Sequence, residues 1–109
     1  MKFLSFLLLL IAVDARAAGS ADEGKAAFVR HGCYECHGFA GQGGAGKTLA
    51  PNPLPYGAFA EIVRNSATAM PPYRQAILSD ADLASIYAYL RSIPKGPDYK
   101  SIPLLNQGE

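Results

Sequence analysis

The sequence predicts an all-α domain, a few short helices joined by long loops. Two stretches carry the spacing of a helix N-terminus, a serine with an acid three residues on: SADE at Ser20–Glu23 and SDAD at Ser79–Asp82. No run alternates apolar and polar residues with period two for long enough to make a strand. The connecting stretches are dense in glycine and proline, which neither helix nor strand tolerates.

The first element is not expected to belong to the domain. Lys2 precedes an apolar run, FLSFLLLLIAV from Phe3 to Val13, followed by DARAA with small residues at Ala15 and Ala17. A positive start, an apolar core and an A-x-A site predict a secretory signal peptide over residues 1–17. The run is too short to cross a bilayer, which takes about 20 apolar residues, so no stable membrane insertion is expected. The domain would then occupy residues 18–109, and export would place it in the bacterial periplasm or outside the cell. There, paired thiols become disulfides unless something else claims them.

The remaining elements follow in order. The Ser20 cap predicts a helix from Ala21 to about His31, ended by Gly32. The stretch GFAGQGGAGKTLAPNPLPY, Gly38–Tyr56, is loop. GAFAEIVRN, Gly57–Asn65, reads as a short helix, and NSATAMPPY as a second loop in which Pro71 and Pro72 forbid helix. Behind Ser79, Leu83, Ile86, Tyr87 and Leu90 fall at i, i+3, i+4 and i+7, an amphipathic helix that Pro94 stops. The tail PKGPDYKSIPLLNQGE is expected to be extended, with Ile102, Leu104 and Leu105 available to pack back on the body.

Composition narrows the function. The 109 residues carry a formal net charge of +1, and from Ala18 onward there are eight basic and eight acidic residues. No polybasic face results, and nucleic-acid binding has no support. So small a domain buries a modest core and often needs a disulfide, metal or cofactor to fold around.

The chemistry is concentrated in HGCYECHG, His31–Gly38, which holds both cysteines and both histidines of the chain. Cys33-Tyr34-Glu35-Cys36-His37 is C-x-x-C-H, the attachment sequence for c-type haem. Haem carries vinyl groups on neighbouring pyrroles, and one cysteine sulfur adds to each. Two intervening residues form about one helical turn and set the sulfurs at a workable separation. The histidine that follows then reaches the iron as an axial ligand. Three other readings compete. A plain disulfide uses the same thiols. A thioredoxin-like pair wants a preceding strand in a βαβ frame, which is missing. Zinc wants four donors, and these two cysteines and two histidines are crowded on one short tether.

A six-coordinate iron needs a second ligand. Met70, in AMPPY, is the one methionine after the leader. A thioether opposite histidine raises the reduction potential and suits an electron carrier. The competing role is core filler. The two prolines stiffen the loop in a way that suits a ligand held at fixed distance. His31 lies too close to Cys33 along the chain to cross to the other haem face. A further match, Gly41-x4-Gly46-Lys47-Thr48, has the Walker A pattern, but no strand precedes it and Leu-Ala-Pro-Asn-Pro follows where a helix should start.

On these residues the chain resembles the class I c-type cytochromes, small single-haem proteins with the attachment motif near one end and the methionine near the other. The resemblance spans about Ala21 to Ile93. It implies the cytochrome c fold and one covalent haem c, attached through Cys33 and Cys36 and ligated by His37 and Met70. It also implies that Gly24 and Phe28 on the first helix cross Ile86 and Tyr89 on the last. It further implies that a loop proline carbonyl, matched by Pro51, accepts the proton on the second nitrogen of His37 and so fixes its tautomer. Arg64, Arg74, Tyr56 and Tyr73 are candidate donors to the haem propionates.

The function implied is electron transfer, not enzymatic catalysis. With both axial positions filled, no substrate reaches the iron. The partners would be redox proteins such as a periplasmic dehydrogenase, an oxidase or another cytochrome. The first reading is a periplasmic carrier. The alternative is a cytochrome subunit permanently associated with a periplasmic dehydrogenase or terminal oxidase. An enzyme or gas sensor with a labile Met70 would need distal groups to activate a ligand, and no His or Arg pair is placed for that.

Overall fold

Two helices crossing at a glycine organise the chain. A computed structural model describes residues 19–107, and the signal peptide expected at residues 1–17 lies outside them. Those residues form four α-helices: α1 (Ala21–Arg30), α2 (Cys33–His37), α3 (Tyr56–Asn65) and α4 (Asp80–Ser92). No strand occurs among the described residues, as the all-α expectation requires.

Both predicted caps form. Ser20 Oγ accepts the Glu23 amide at 3.1 Å, and Ser79 Oγ accepts the Asp82 amide at 3.1 Å. Each satisfies one of the orphan donors at a helix start. Acids follow each cap, Asp22 and Glu23 in α1 and Asp80 and Asp82 in α4, where the helix dipole favours negative charge. Arg30 and Arg91 sit in the last turns, where it favours positive charge.

The inward face of α1 is Gly24, Ala27 and Phe28, at i, i+3 and i+4. It meets Ser85, Ile86, Tyr89 and Leu90 on α4. A Cβ on Gly24 would lie 1.8 Å from the Ser85 carbonyl oxygen, so the helix backbones touch there and only glycine fits. One turn on, Phe28 packs edge-on against Tyr89, ring centroids 5.6 Å apart. The crossing expected from Gly24, Phe28, Ile86 and Tyr89 is therefore present. Phe59 and Val63 of α3 and Leu78 of the second loop complete the buried cluster.

The long loop after α2 satisfies its own backbone. The Gly43 and Gly46 amides donate to the carbonyls of His37 and Cys36 at 2.8 and 2.7 Å, and Leu49 and Ala50 both donate to Gly41. The loop thus folds back on α2 and supplies the carbonyls at its end with donors. Tyr89 Oη ties it to α4 through the Phe39 carbonyl at 2.6 Å.

The tail differs from expectation. It forms two single 3-10 turns, Tyr99–Ser101 and Pro103–Leu105. Asp98 caps the first through the Lys100 amide at 3.0 Å, and Pro103 starts the second with its preset φ. Leu104 and Leu105 remain 80% and 61% exposed and do not pack on the body. No helix among the described residues is long and apolar enough to cross a membrane.

Candidate functional site

The C-x-x-C-H segment is a helix of a single turn. Gly32 precedes it in the left-handed region, φ 74°, which lets the chain break from α1 and restart as α2 within two residues. Cys33, half-buried, packs on the edge of the core, while Cys36 is exposed. Both thiols are free, so the site is not built as a disulfide. Burial pushes the Cys33 thiol up to about 11, partly offset by a backbone hydrogen bond. A redox-active pair needs a lowered thiol pKa, so the thioredoxin reading fails on electrostatics as well as on topology. No three His, Cys, Asp or Glu side chains converge to hold a bare metal ion among the described residues, so the zinc reading also lacks its donor set.

His37 is oriented by the loop. Its Nδ1 lies 2.7 Å from the Lys47 carbonyl oxygen. A carbonyl only accepts, so Nδ1 carries a proton, and in the neutral ring Nε2 then keeps its lone pair. That is the tautomer a metal ligand needs, and the bond strengthens the imidazole as a donor.

The acceptor corrects the expectation for Pro51: the carbonyl is that of Lys47, four residues earlier. The cause is Gly46. A Cβ there would lie 2.8 Å from His37 Cε1 and 2.9 Å from Nδ1, so glycine lets the backbone lie against the ring and delivers the next carbonyl to it. Pro51 instead lines an open groove with Tyr87 and Arg91 near the end of α4. Gly46-Lys47-Thr48 thus serves the imidazole, and no helix begins until Tyr56, so the Walker A match has no structural counterpart.

Met70 sits half-buried in the loop between α3 and α4 and packs on the same buried cluster as Cys33. Arg64, a candidate propionate donor, is otherwise engaged. Its Nη1 donates to the carbonyls of Tyr73 and Leu78 at 3.0 and 2.6 Å, and its Nη2 to Asp80 at 2.6 Å. Tyr73, another candidate, donates through Oη to the His31 carbonyl at 3.0 Å. Burial first, then the neighbouring charges of Cys33, Cys36 and Glu35, raise the Tyr73 phenol pKa, so it stays a protonated donor.

His31 turns towards α4. Its Nε2 is buried without a hydrogen bond, 3.8 Å from Asp82 Oδ2, which pairs with Arg30 at 3.1 Å. It faces the α1–α4 seam and is not a second ligand for the site of His37.

The residues present fit a thioether-attached haem. The two thiols are free on one helical turn, the histidine tautomer is set with Nε2 available, and a half-buried thioether borders the same core. Sequence reasoning missed Lys47, Gly46 as its enabling neighbour, and the loop contacts of Arg64 and Tyr73. Only the glycine at position 46 carried a signal, and it was hidden among other glycines.

Comparison with known proteins gives one family. The family model described as Cytochrome C oxidase, cbb3-type, subunit III matches residues 19–90, a span that contains Cys33, Cys36, His37 and Met70. No curated protein and no solved structure matches the chain.

Proposed function

Because the chain belongs to the cytochrome c oxidase, cbb3-type, subunit III family, a family of c-type cytochromes with covalent haem c, we propose that it is an exported one-electron carrier ligated by His37 and Met70. The bound haem supplies Fe(II)/Fe(III) exchange. Cys33 and Cys36 anchor it through their sulfurs, and His37 donates Nε2 with its ring held by Lys47. Met70 would supply a thioether to the iron and keep exogenous ligands out. The buried cluster of α1, α3 and α4 excludes water from one side, while exposed Cys36 leaves the attachment segment at the surface, within reach of a partner. Residues 1–17 serve as the signal peptide that takes the chain to the periplasm.

The observation that carries this reading is the 2.7 Å contact between His37 Nδ1 and the Lys47 carbonyl, on a C-x-x-C-H turn whose thiols are both free. Carbon monoxide tests it. The reduced haem-loaded protein should leave its spectrum unchanged under the gas, because both axial positions are filled. Ready binding by the resting ferrous protein contradicts the closed iron, and with it the assignment of a pure carrier.

A second reading follows from the family's description, which names an oxidase subunit. The chain would then serve as a fixed electron-entry subunit. Gel filtration of native extract separates the two: migration with a large enzyme supports the subunit, and migration as a small free protein supports the carrier.

A further inference from the structure

We propose that the Tyr73 hydroxyl is a clasp that fastens the Met70 loop to the haem-attachment segment and so sets how easily Met70 leaves its ligand position. The inference rests on the reading of Met70 as an axial ligand. The loop runs from Ser66 to Ser79 between α3 and α4. Arg64 reaches from the end of α3 to the carbonyls of Tyr73 and Leu78, which ties the loop to the helix it leaves. The Tyr73 amide donates back to the Val63 carbonyl at 2.8 Å and strengthens the same tie.

None of those bonds joins the loop to α1 or α2. Among the described residues, the hydrogen bond that does so is Tyr73 Oη to the His31 carbonyl, at 3.0 Å and 42 residues apart in sequence. His31 caps the end of α1 and lies two residues before Cys33. The rings of His31 and Tyr73 also meet edge-on, centroids 6.5 Å apart. One side chain therefore spans from the loop that holds the methionine to the segment that holds the cysteines.

Position makes the span matter for Met70. Pro71 and Pro72 are the residues between Met70 and Tyr73, and each has its φ locked. A point fixed at Tyr73 is passed to Met70 with little slack. Departure of Met70 requires the loop to move, and the clasp opposes that movement. A net hydrogen bond of ordinary strength corresponds to a change of roughly 2- to 10-fold in the opening equilibrium.

The test uses the haem-loaded full chain and Tyr73→Phe, which removes only the hydroxyl. Imidazole is titrated into the ferric protein, and displacement of Met70 is followed by loss of the weak long-wavelength band of thioether-ligated ferric haem. Tyr73→Phe should bind imidazole roughly 2- to 10-fold more tightly than the unaltered chain. Tyr87→Phe is the control, because it loses a matching bond to the Leu54 carbonyl at 2.8 Å elsewhere in the fold. It should bind imidazole as the unaltered chain does. Equal affinities for Tyr73→Phe and the unaltered chain overturn the clasp, as does an equal gain in both variants, which would mark general loosening. Should Tyr73→Phe not accumulate, hydrogen exchange on the unaltered chain decides. Imidazole should speed exchange of the Tyr73 hydroxyl proton, which the His31 carbonyl holds, and a hydroxyl proton that stays protected while Met70 is displaced overturns the proposal. An unaltered chain that lacks the thioether band from the outset overturns the Met70 assignment itself, and the clasp with it, before any variant is compared.

Discussion

Gly24→Ala should destabilise the haem-loaded protein, although alanine is the better helix former by about 1 kcal/mol. The new Cβ would lie 1.8 Å from the Ser85 carbonyl oxygen and 2.9 Å from Tyr89 Cβ. Ordinary contact begins at 3.4 Å, so α1 and α4 would have to part by about 1.6 Å, the gap between 1.8 and 3.4 Å. The obstacle is backbone and cannot rotate away. Parting the helices also lifts Phe28 off Tyr89, two side chains now at 0% and 9% exposure. Overpacking of a core costs about 1–3 kcal/mol, and lost aromatic contact adds about 0.5–1.5 kcal/mol. The loss exceeds the propensity gain, for a net cost of about 1–3 kcal/mol. For a domain of this size each kcal/mol moves Tm by about 4–8 °C. Thermal melting followed by circular dichroism should therefore show a drop of about 5–20 °C. An unchanged or higher Tm would refute the close backbone crossing and the packing argument built on it.

Other consequences are equally direct. Gly46→Ala places a Cβ 2.8 Å from His37 Cε1, so the ring tilts away from the Lys47 carbonyl. A less basic imidazole stabilises Fe(III) less, and redox titration should find a raised midpoint potential. Arg64→Ala strips the donor from the Tyr73 and Leu78 carbonyls and should cost about 1–3 kcal/mol, read by denaturant melting. In the haem-free chain Cys33 holds its proton to about 11, against an ordinary 9.0. The folded form therefore binds the extra proton between those values, and folding stability falls as pH rises through that window. Alkylation of Cys33 at neutral pH should lag that of exposed Cys36, while in the haem-loaded chain neither sulfur should react.

Much of this site was legible in residue types. Ser20 and Ser79 act through their side chains at fixed offsets, so their caps could be read directly. The spacing of Leu83, Ile86 and Leu90 shows the inward face of α4, while the crossing of Gly24 and Phe28 with Tyr89 came from the family resemblance. The C-x-x-C-H motif states its own turn. What escaped was backbone chemistry. The partner of His37 is a carbonyl, which every residue carries, so a proline at position 51 drew the assignment that belonged to Lys47. Arg64 and Tyr73 also spend their polar atoms on carbonyls, across separations of up to 42 residues, and no local pattern records such a pairing. The tail misled for a different reason. Leu104 and Leu105 are apolar, but apolar residues also remain on surfaces, and the Asp98 cap and Pro103 favour local turns over a return to the core.

Covalent attachment of haem through Cys33 and Cys36 is the claim on which the electron-transfer account stands. Intact mass spectrometry of the protein, denatured and extracted with acidic organic solvent, measures it directly. The account predicts a polypeptide heavier by the mass of one haem, and a Cys33→Ala, Cys36→Ala double variant that retains none. A chain that leaves the extraction at its bare polypeptide mass would contradict it.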